Sequence, residues 1–371
     1  MRIAQVVASY HPRIGGVETH VRRIAEGCAV AGDDVTVLTH QAPGQPAEET
    51  IGPVRVLRFQ LTLRSQVYPF SWRLFRYLGQ HAAEYDVVHA HSYHTLAGQA
   101  APRAGLPFVF TPHYHGTGHT PFAAALHRVY RPFGGRLFTS ADAVICVSSA
   151  ERALIVRDFP QTASKVTVIP NGTQARVTAA RAADTTAGTR RLVLTIGRLE
   201  RYKNTDLVIR AFRALPFRAE LVIVGDGADR ARLEEIARSG EPGHPVRFTG
   251  EIPDDELDAL LATATVVTSA SHHEAFGLIL ADGLTAGARV VASAIPAHRE
   301  VGMLAGPAAP VTFVEPGDTA EFTAALAGAL DAGRVPAGSV SIPSWSDVAG
   351  RTRDVYARVT AGGHARRREL V

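Results

Sequence analysis

The sequence predicts an α/β protein built from two doubly wound, Rossmann-like domains, and three observations carry that prediction. Short β-branched runs alternate with helix-like stretches along nearly the whole chain, as in a parallel sheet joined by crossover helices. The alternation restarts once, at Arg191-Leu192-Val193-Leu194-Thr195-Ile196-Gly197, after a polar stretch without hydrophobic period. The chain's 371 residues exceed what one hydrophobic core usually organises, while 46% hydrophobic and 7% aromatic content suits ordinary globular domains.

The first series contains strand-like runs at Ile3 to Ala8, Asp34 to Leu38, Val54 to Phe59, Val87 to Ala90, Pro107 to Thr111, Ala143 to Val147 and Lys165 to Ile169. It defines a first domain over 1–175. Within it, Tyr68 to Leu78 reads as a helix that buries Trp72, Phe75 and Leu78 and leaves Arg73 and Arg76 in solvent. Asn171-Gly172-Thr173 starts a turn, and the Ala/Thr-rich stretch Thr178 to Thr189 is the expected hinge. The second domain, 190–350, continues through runs at Ala219 to Val224, Val246 to Gly250, Thr265 to Ser269 and Ala288 to Ala292. Ser344-Trp345-Ser346-Asp347 resembles a capped helix start, Val348 to Thr360 keeps helical spacing, and Ala365 to Arg368 reads as a solvated tail.

Net charge is +4, with the excess in residues 1–175, which hold 16 Lys/Arg against 11 Asp/Glu; the remainder holds 23 against 24. That bias favours an anionic acceptor or a membrane surface only weakly. No basic run with interleaved aromatics supports nucleic-acid binding. Met1 to Ala8 is a first strand, too short and too soon polar for a signal peptide, so a cytoplasmic location is expected. Cys28 and Cys146 lie in apolar patterns without CxxC or His pairing and read as packing residues.

Two loops carry the chemistry of the second domain. In Ser271-His272-His273-Glu274-Ala275-Phe276-Gly277-Leu278-Ile279-Leu280-Ala281-Asp282, Glu274 lies just beyond a strand's carboxyl end, where open α/β sheets bind ligands. Gly277 to Leu280 would present backbone N–H groups at a helix N-terminus, an anion site, with Asp282 further along that helix. The two carboxylates suit a polyol and a ribose. In Gly197-Arg198-Leu199-Glu200-Arg201-Tyr202-Lys203, the cations Arg198 and Lys203 can reach one diphosphate, or pair with Glu200 and Asp206 as surface salt bridges.

The first domain offers a glycine pair, Gly15-Gly16, between its first strand and helix, permitting close backbone approach to a phosphate or serving only chain reversal. Histidines cluster in Thr111-Pro112-His113-Tyr114-His115-Gly116-Thr117-Gly118-His119 and in His89-Ala90-His91-Ser92-Tyr93-His94. There is no HExxH and no carboxylate inside the His113 run, so no metal site is assigned; neutral imidazoles equally bind sugar hydroxyls. His115 and His119 read as polar groups flanking a cleft, and His89 and His91 as strand-end residues within reach of an acceptor.

Glu274-Ala275-Phe276-Gly277-Leu278 with an acid eight positions on resembles the retaining family-4 glycosyltransferases of the GT-B fold, and the Arg198/Lys203 spacing matches. The resemblance implies two Rossmann-like domains facing across a cleft, with the acceptor on the side of the first and a nucleotide diphosphate sugar held mainly by the second. It also implies a terminal helix, about 355–371, that packs back on the first domain. It makes His113, Arg198, Lys203 and Glu274 catalytic, and Gly15, Gly16, Gly250, Phe276, Gly277, Leu278 and Asp282 donor-binding, with the nucleobase near Thr249 to Ile252. It implies front-face attack in which the leaving phosphate takes the acceptor proton. No metal and no cofactor beyond the nucleotide-sugar co-substrate is then required, and Asp254-Asp255 is a helix start. A sugar, lipid or small-molecule acceptor is the expected partner, with peripheral membrane contact possible and no nucleic acid. The chain departs from the family at Asp282, usually Glu, and at Asn204, usually Gly. The alternatives are a nucleotide-sugar 2-epimerase of the same fold, a non-catalytic nucleotide-sugar sensor, and a dinucleotide oxidoreductase, which would need a GxGxxG that neither domain shows.

Overall fold

The computed structural model describes residues 1–13, 15–65, 68–116, 121–174, 191–239 and 244–368, with side chains described outside 121–129 and 363–368. The chain forms two compact units, one of Met1–Asn171 with Trp345–Val371 and one of Gly172–Ser344. The expected hinge, Thr178 to Thr189, lies outside the described residues.

The first unit runs β1 (Arg2–Val6), α1 (Gly16–Val30), β2 (Asp34–His40), β3 (Glu48–Ile51), β4 (Val54–Phe59), α2 (Trp72–Gln80), β5 (Val87–His91), β6 (Phe108–Thr111), α3 (Pro121–Ser140), β7 (Ala143–Cys146), α4 (Ser149–Asp158) and β8 (Val166–Val168). Its sheet has the order β3-β4-β2-β1-β5-β6-β7-β8 and is parallel except for the β3–β4 hairpin. Helices cover both faces, so an inner strand such as β7 is buried at every residue and reads as a continuous apolar run. The hairpin strand β3, Glu-Glu-Thr-Ile, escaped the sequence reading because an edge strand needs little apolar content. In α2 the buried pair is Leu74 and Leu78, not Trp72, Phe75 and Leu78. Ser71 caps the helix by accepting from the Leu74 N–H, which makes Trp72 its first residue. Its ring, half exposed, stacks on Phe75 at 6.2 Å.

The second unit runs β9 (Leu192–Ile196), α5 (Thr205–Arg213), β10 (Glu220–Val224), α6 (Arg230–Arg238), β11 (Val246–Gly250), α7 (Asp254–Thr263), β12 (Val266–Ser269), α8 (Leu278–Thr285), β13 (Arg289–Ser293), α9 (Pro296–Ala305), β14 (Val311–Val314) and α10 (Thr319–Ala332). All its strand pairs are parallel, in the order β11-β10-β9-β12-β13-β14. Connections leave β9 and β12 toward opposite edges, so the crevice between their carboxyl ends is a topological switch point, where such sheets bind ligands.

The last helix, α11 (Trp345–Arg368), belongs to the first unit along its whole length. It begins at Trp345, within the capped start read from the sequence, and it packs with the first unit from there rather than from about 355, so 345–350 do not belong to the second unit. Ala365 to Arg368 continue the helix instead of forming a tail, because no proline interrupts it. It crosses α1 so closely that a Cβ on Gly27 would stand 2.5 Å from the Ala349 Cβ. It also places Arg353 on Asp33 at 2.6 Å and Tyr356 on His89 at 2.7 Å.

Candidate active site

In the second unit the switch point gathers the two loops singled out by sequence. Lys203, in a helical turn after β9, sets its Nζ 2.6 Å from Glu274 Oε1, and the Ser271 hydroxyl donates to the same oxygen at 2.8 Å. Lys203 thus meets Glu274 rather than Glu200 or Asp206, while Asp206 pairs with Arg210 and Arg232. The side chains are 20% and 17% exposed. Burial opposes charge on both, but their mutual attraction and hydrogen bond outweigh it. Glu274 is therefore held below the usual carboxylate range and Lys203 above the usual lysine value. Arg198 is exposed at the mouth, its Nη2 donating to the Tyr202 hydroxyl at 3.1 Å.

Glycines make room for this arrangement. Gly225, at φ 118°, lies so near the β9 loop that a Cβ would stand 2.1 Å from the Gly197 carbonyl oxygen. Gly277, at φ 111°, caps α8, and the N–H groups of Gly277 and Leu278 donate to no described residue. The Leu280 N–H, expected to be free, is bound to the Gly277 carbonyl at 3.1 Å, so the open amides are fewer than the sequence implied. Asp282 is the fifth residue of α8, about one turn along the helix. Phe276 is buried at 2% exposure and anchors the loop through its ring, leaving only its backbone for a ligand. Gly250 ends β11 at φ 73°; the neighbouring Thr249 hydroxyl is spent on backbone carbonyls. Asp254 and Asp255 open α7.

Sequence reasoning missed His298 on α9. It is fully buried, its Nδ1 lies 2.9 Å from the Ser293 carbonyl, and its Nε2 has no partner among the described residues. Its Cδ2 stands 3.1 Å from where a Cβ on Gly277 would be. Burial keeps it neutral in spite of Glu274. A lone His after a proline gave no motif to find it by.

In the first unit, Gly15 is the N-cap of α1 and Gly16 its first residue. The Glu18 carboxylate already lies over Gly15, where a Cβ would meet Oε2 at 2.3 Å, and accepts from Ser9, so this helix end carries its own anion. His113 follows β6 at φ 48°, is 9% exposed, and its Nε2 has no partner among the described residues. Burial, and then neighbouring histidines, hold its pKa well below the ordinary value, so it is neutral. His91 is buried beside it, and His20, which the sequence reading did not single out, completes a cluster with both. His89 is a core residue, not an acceptor contact, because Tyr356 and Thr111 satisfy both its nitrogens at 2.7 and 2.8 Å. His119 lies outside the described residues. Cys28 and Cys146 are buried free thiols, raised in pKa by burial. No described helix is long and apolar enough to cross a membrane.

Residues 14–176 match the family described as Glycosyltransferase Family 4, and residues 177–333 that described as Glycosyl transferases group 1. The chain is 31% identical over 343 residues to a GDP-mannose-dependent alpha-(1-6)-phosphatidylinositol dimannoside mannosyltransferase of Mycobacterium tuberculosis, covering 81% of each chain. It is 28% identical over 329 residues to an uncharacterised glycosyltransferase of Methanocaldococcus jannaschii, covering 81% of this chain and 82% of the other. The fold is similar to that of sucrose-phosphate synthase from Thermosynechococcus elongatus, with TM-score 0.74 and 21% identity over 97% of this chain and 99% of that one. The chain therefore belongs to the group 1 glycosyltransferases of the GT-B fold.

Proposed function

We propose that this glycosyltransferase moves a sugar from a nucleotide diphosphate donor to an acceptor hydroxyl with retention of anomeric configuration and without a metal at the diphosphate. The observation that carries the reading is the Lys203–Glu274 contact at the switch point, beside Arg198 and the open amides of Gly277 and Leu278. Lys203 and Arg198 place two cations where charge builds on a departing diphosphate, and the amides add fixed dipoles, so both act more strongly as the bond breaks. Glu274, ionised and braced by Ser271, accepts hydrogen bonds from sugar hydroxyls. In the first unit, neutral His113 can donate to or accept from a hydroxyl. Asp282 contacts the ribose, and the nucleobase lies near Gly250. The glycosidic C–O bond to phosphate breaks, the acceptor oxygen bonds to the same carbon face, and the acceptor proton passes to the leaving phosphate, so no side-chain base is needed.

The mannosyltransferase relative supports a nucleotide-sugar donor. A cytoplasmic site of action goes with that donor class, and a sugar, lipid or small-molecule acceptor with the transfer. The test is a thermal-shift panel of nucleotide diphosphate sugars, with and without EDTA, followed by product NMR. A single donor should raise the melting temperature equally in both conditions, and the product should keep the donor's anomeric configuration. An inverted product would overturn retention, and a donor shift abolished by EDTA would overturn the metal-free diphosphate site. Epimerised nucleotide sugar released without acceptor would establish the epimerase in its place, and donor binding without turnover across acceptor panels the sensor.

A further inference from the structure

We infer that Glu151 is a positioning residue for sugar transfer: its buried carboxylate holds the His113 backbone in the conformation that presents the open ring nitrogen to a substrate hydroxyl. The inference rests on the part given above to His113. That residue is not glycine, yet its φ is 48°, a left-handed conformation that persists only where the surroundings impose it.

Two hydrogen bonds impose it. Because each peptide unit is planar, the conformation at His113 is set by the two planes that meet at its Cα. The plane before it is held at the Pro112 carbonyl, which accepts from the Tyr93 N–H at 2.7 Å. The plane after it is held at the Tyr114 N–H, which donates to Glu151 Oε1 at 2.5 Å. Losing either bond lets the turn relax, and the imidazole swings with it.

Glu151 does more than start its own helix. It lies in the first turn of α4, is 1% exposed, and its Oε2 accepts from the Val147 N–H at 2.6 Å. One carboxylate thus ties the loop after β6 to the loop after β7 through two short bonds in a buried setting, where such bonds are strong. The helix start is already capped by the Ser148 hydroxyl, which accepts from the Glu151 N–H at 2.9 Å. A glutamate in this place ordinarily turns back on its own cap residue, whereas Oε1 crosses to the neighbouring loop. At the far end of α4, Asp158 accepts from the Tyr114 hydroxyl at 2.7 Å, so the helix grips the residue after His113 by backbone and ring alike. The working end stays open, since His113 Nε2 has no partner among the described residues. Glu151 stands 37 residues from Tyr114, which is why no motif exposed the link.

The test uses the full chain. His113-Tyr114 is the one His-Tyr step in the sequence, so ¹³C-carbonyl histidine combined with ¹⁵N-tyrosine gives a single carbonyl-linked amide signal, that of Tyr114. In the wild type its proton should lie downfield of ordinary amides and exchange slowly, a measurement that needs no variant to fold. Glu151→Gln keeps the shape but turns an NH2 group toward one of the two N–H donors. The Tyr114 signal should then move upfield and exchange about 10-fold faster or more. With the donor identified by the thermal-shift panel, kcat should fall about 10–100-fold while KM changes less than about three-fold, as for a misplaced group that acts in the transition state. Ser148→Ala removes the cap, leaves both carboxylate bonds, and should lower the melting temperature while keeping kcat. Tyr114→Phe, which frees only the ring, should lose turnover by a smaller factor at the same KM. An ordinary, fast-exchanging Tyr114 amide in the wild type, wild-type kcat in Glu151→Gln, or an equal loss of kcat in Ser148→Ala would overturn the positioning role. Wild-type turnover in a folded His113→Ala would instead remove His113 from the proposed function and the purpose of Glu151 with it, and the Tyr114 signal tells that failure from a failure of the Glu151 contact.

Discussion

At the scale of the residue, the Lys203–Glu274 pair holds most of the chemistry and some of the stability of the second unit. Glu274→Ala leaves Lys203 more than three-quarters buried without its anion, so it should cost about 1–3 kcal/mol, below the loss for a fully buried pair. Transfer should fall much further than stability does. A folded, donor-binding Ala variant with wild-type rates would remove Glu274 from the mechanism. The pair also sets a pH window. Glu274, lowered in the fold, contributes stability above the ordinary carboxylate pKa that is lost as pH falls through its folded value. Lys203, raised, contributes below the ordinary lysine pKa and loses it as pH rises through its folded value. Stability of the Glu274→Gln variant should therefore approach wild type in strong acid and differ most near neutrality, as urea titrations at a series of pH values would read. Asp282→Glu asks a separate question: contact with the ribose predicts a changed donor KM, and unchanged kinetics argue against that contact.

At the scale of the element, the loops leaving β9 and β12 work because glycine lets backbones meet. Gly225 and Gly306 both have positive φ, yet a Cβ on Gly225 would strike the Gly197 carbonyl at 2.1 Å, while one on Gly306 meets nothing within 4 Å. Gly306→Ala should cost only the strain of its positive-φ extended backbone (φ 94°, ψ 169°), about 1–3 kcal/mol. Gly225→Ala should cost more than twice that and weaken donor binding, because it displaces the loop carrying Arg198. Equal melting temperatures for the two variants would refute the close approach. These glycines also show what sequence could carry. Strand runs and the Glu274 and Lys203 loops were legible, since periodicity and turn residues are local signals. The close approach of Gly225 to the Gly197 carbonyl was not, nor was Leu74 rather than Trp72 facing inward, because these depend on what an element packs against. The histidine cluster was illegible for the same reason: His20 lies on a helix, and only the sheet order brings it to the ends of β5 and β6.

At the scale of the whole molecule, the chain leaves the first unit at Asn171 and returns at Trp345, so α11 completes a core begun more than three hundred residues earlier. Tyr356 and His89, both fully buried, join that helix to β5 through one hydrogen bond of 2.7 Å. Tyr356→Phe keeps the ring and strands the His89 Nδ1, which should cost about 1–3 kcal/mol. The molecule carries its own reporter for where that loss falls. Its two tryptophans, Trp72 and Trp345, both lie in the first unit, whereas far-ultraviolet circular dichroism senses the helices of both. The Tyr356→Phe substitution should lower the unfolding temperature seen by tryptophan fluorescence. A saturating nucleotide donor, whose proposed contacts lie mainly in the second unit, should raise the circular dichroism transition of wild type and variant alike. If the substitution moves both signals together and by the same amount, the two units melt as one. If fluorescence shifts while the circular dichroism splits, one part following fluorescence and the rest staying at the wild-type temperature, the helix that crosses back secures the first unit alone, and donor affinity should survive its loosening.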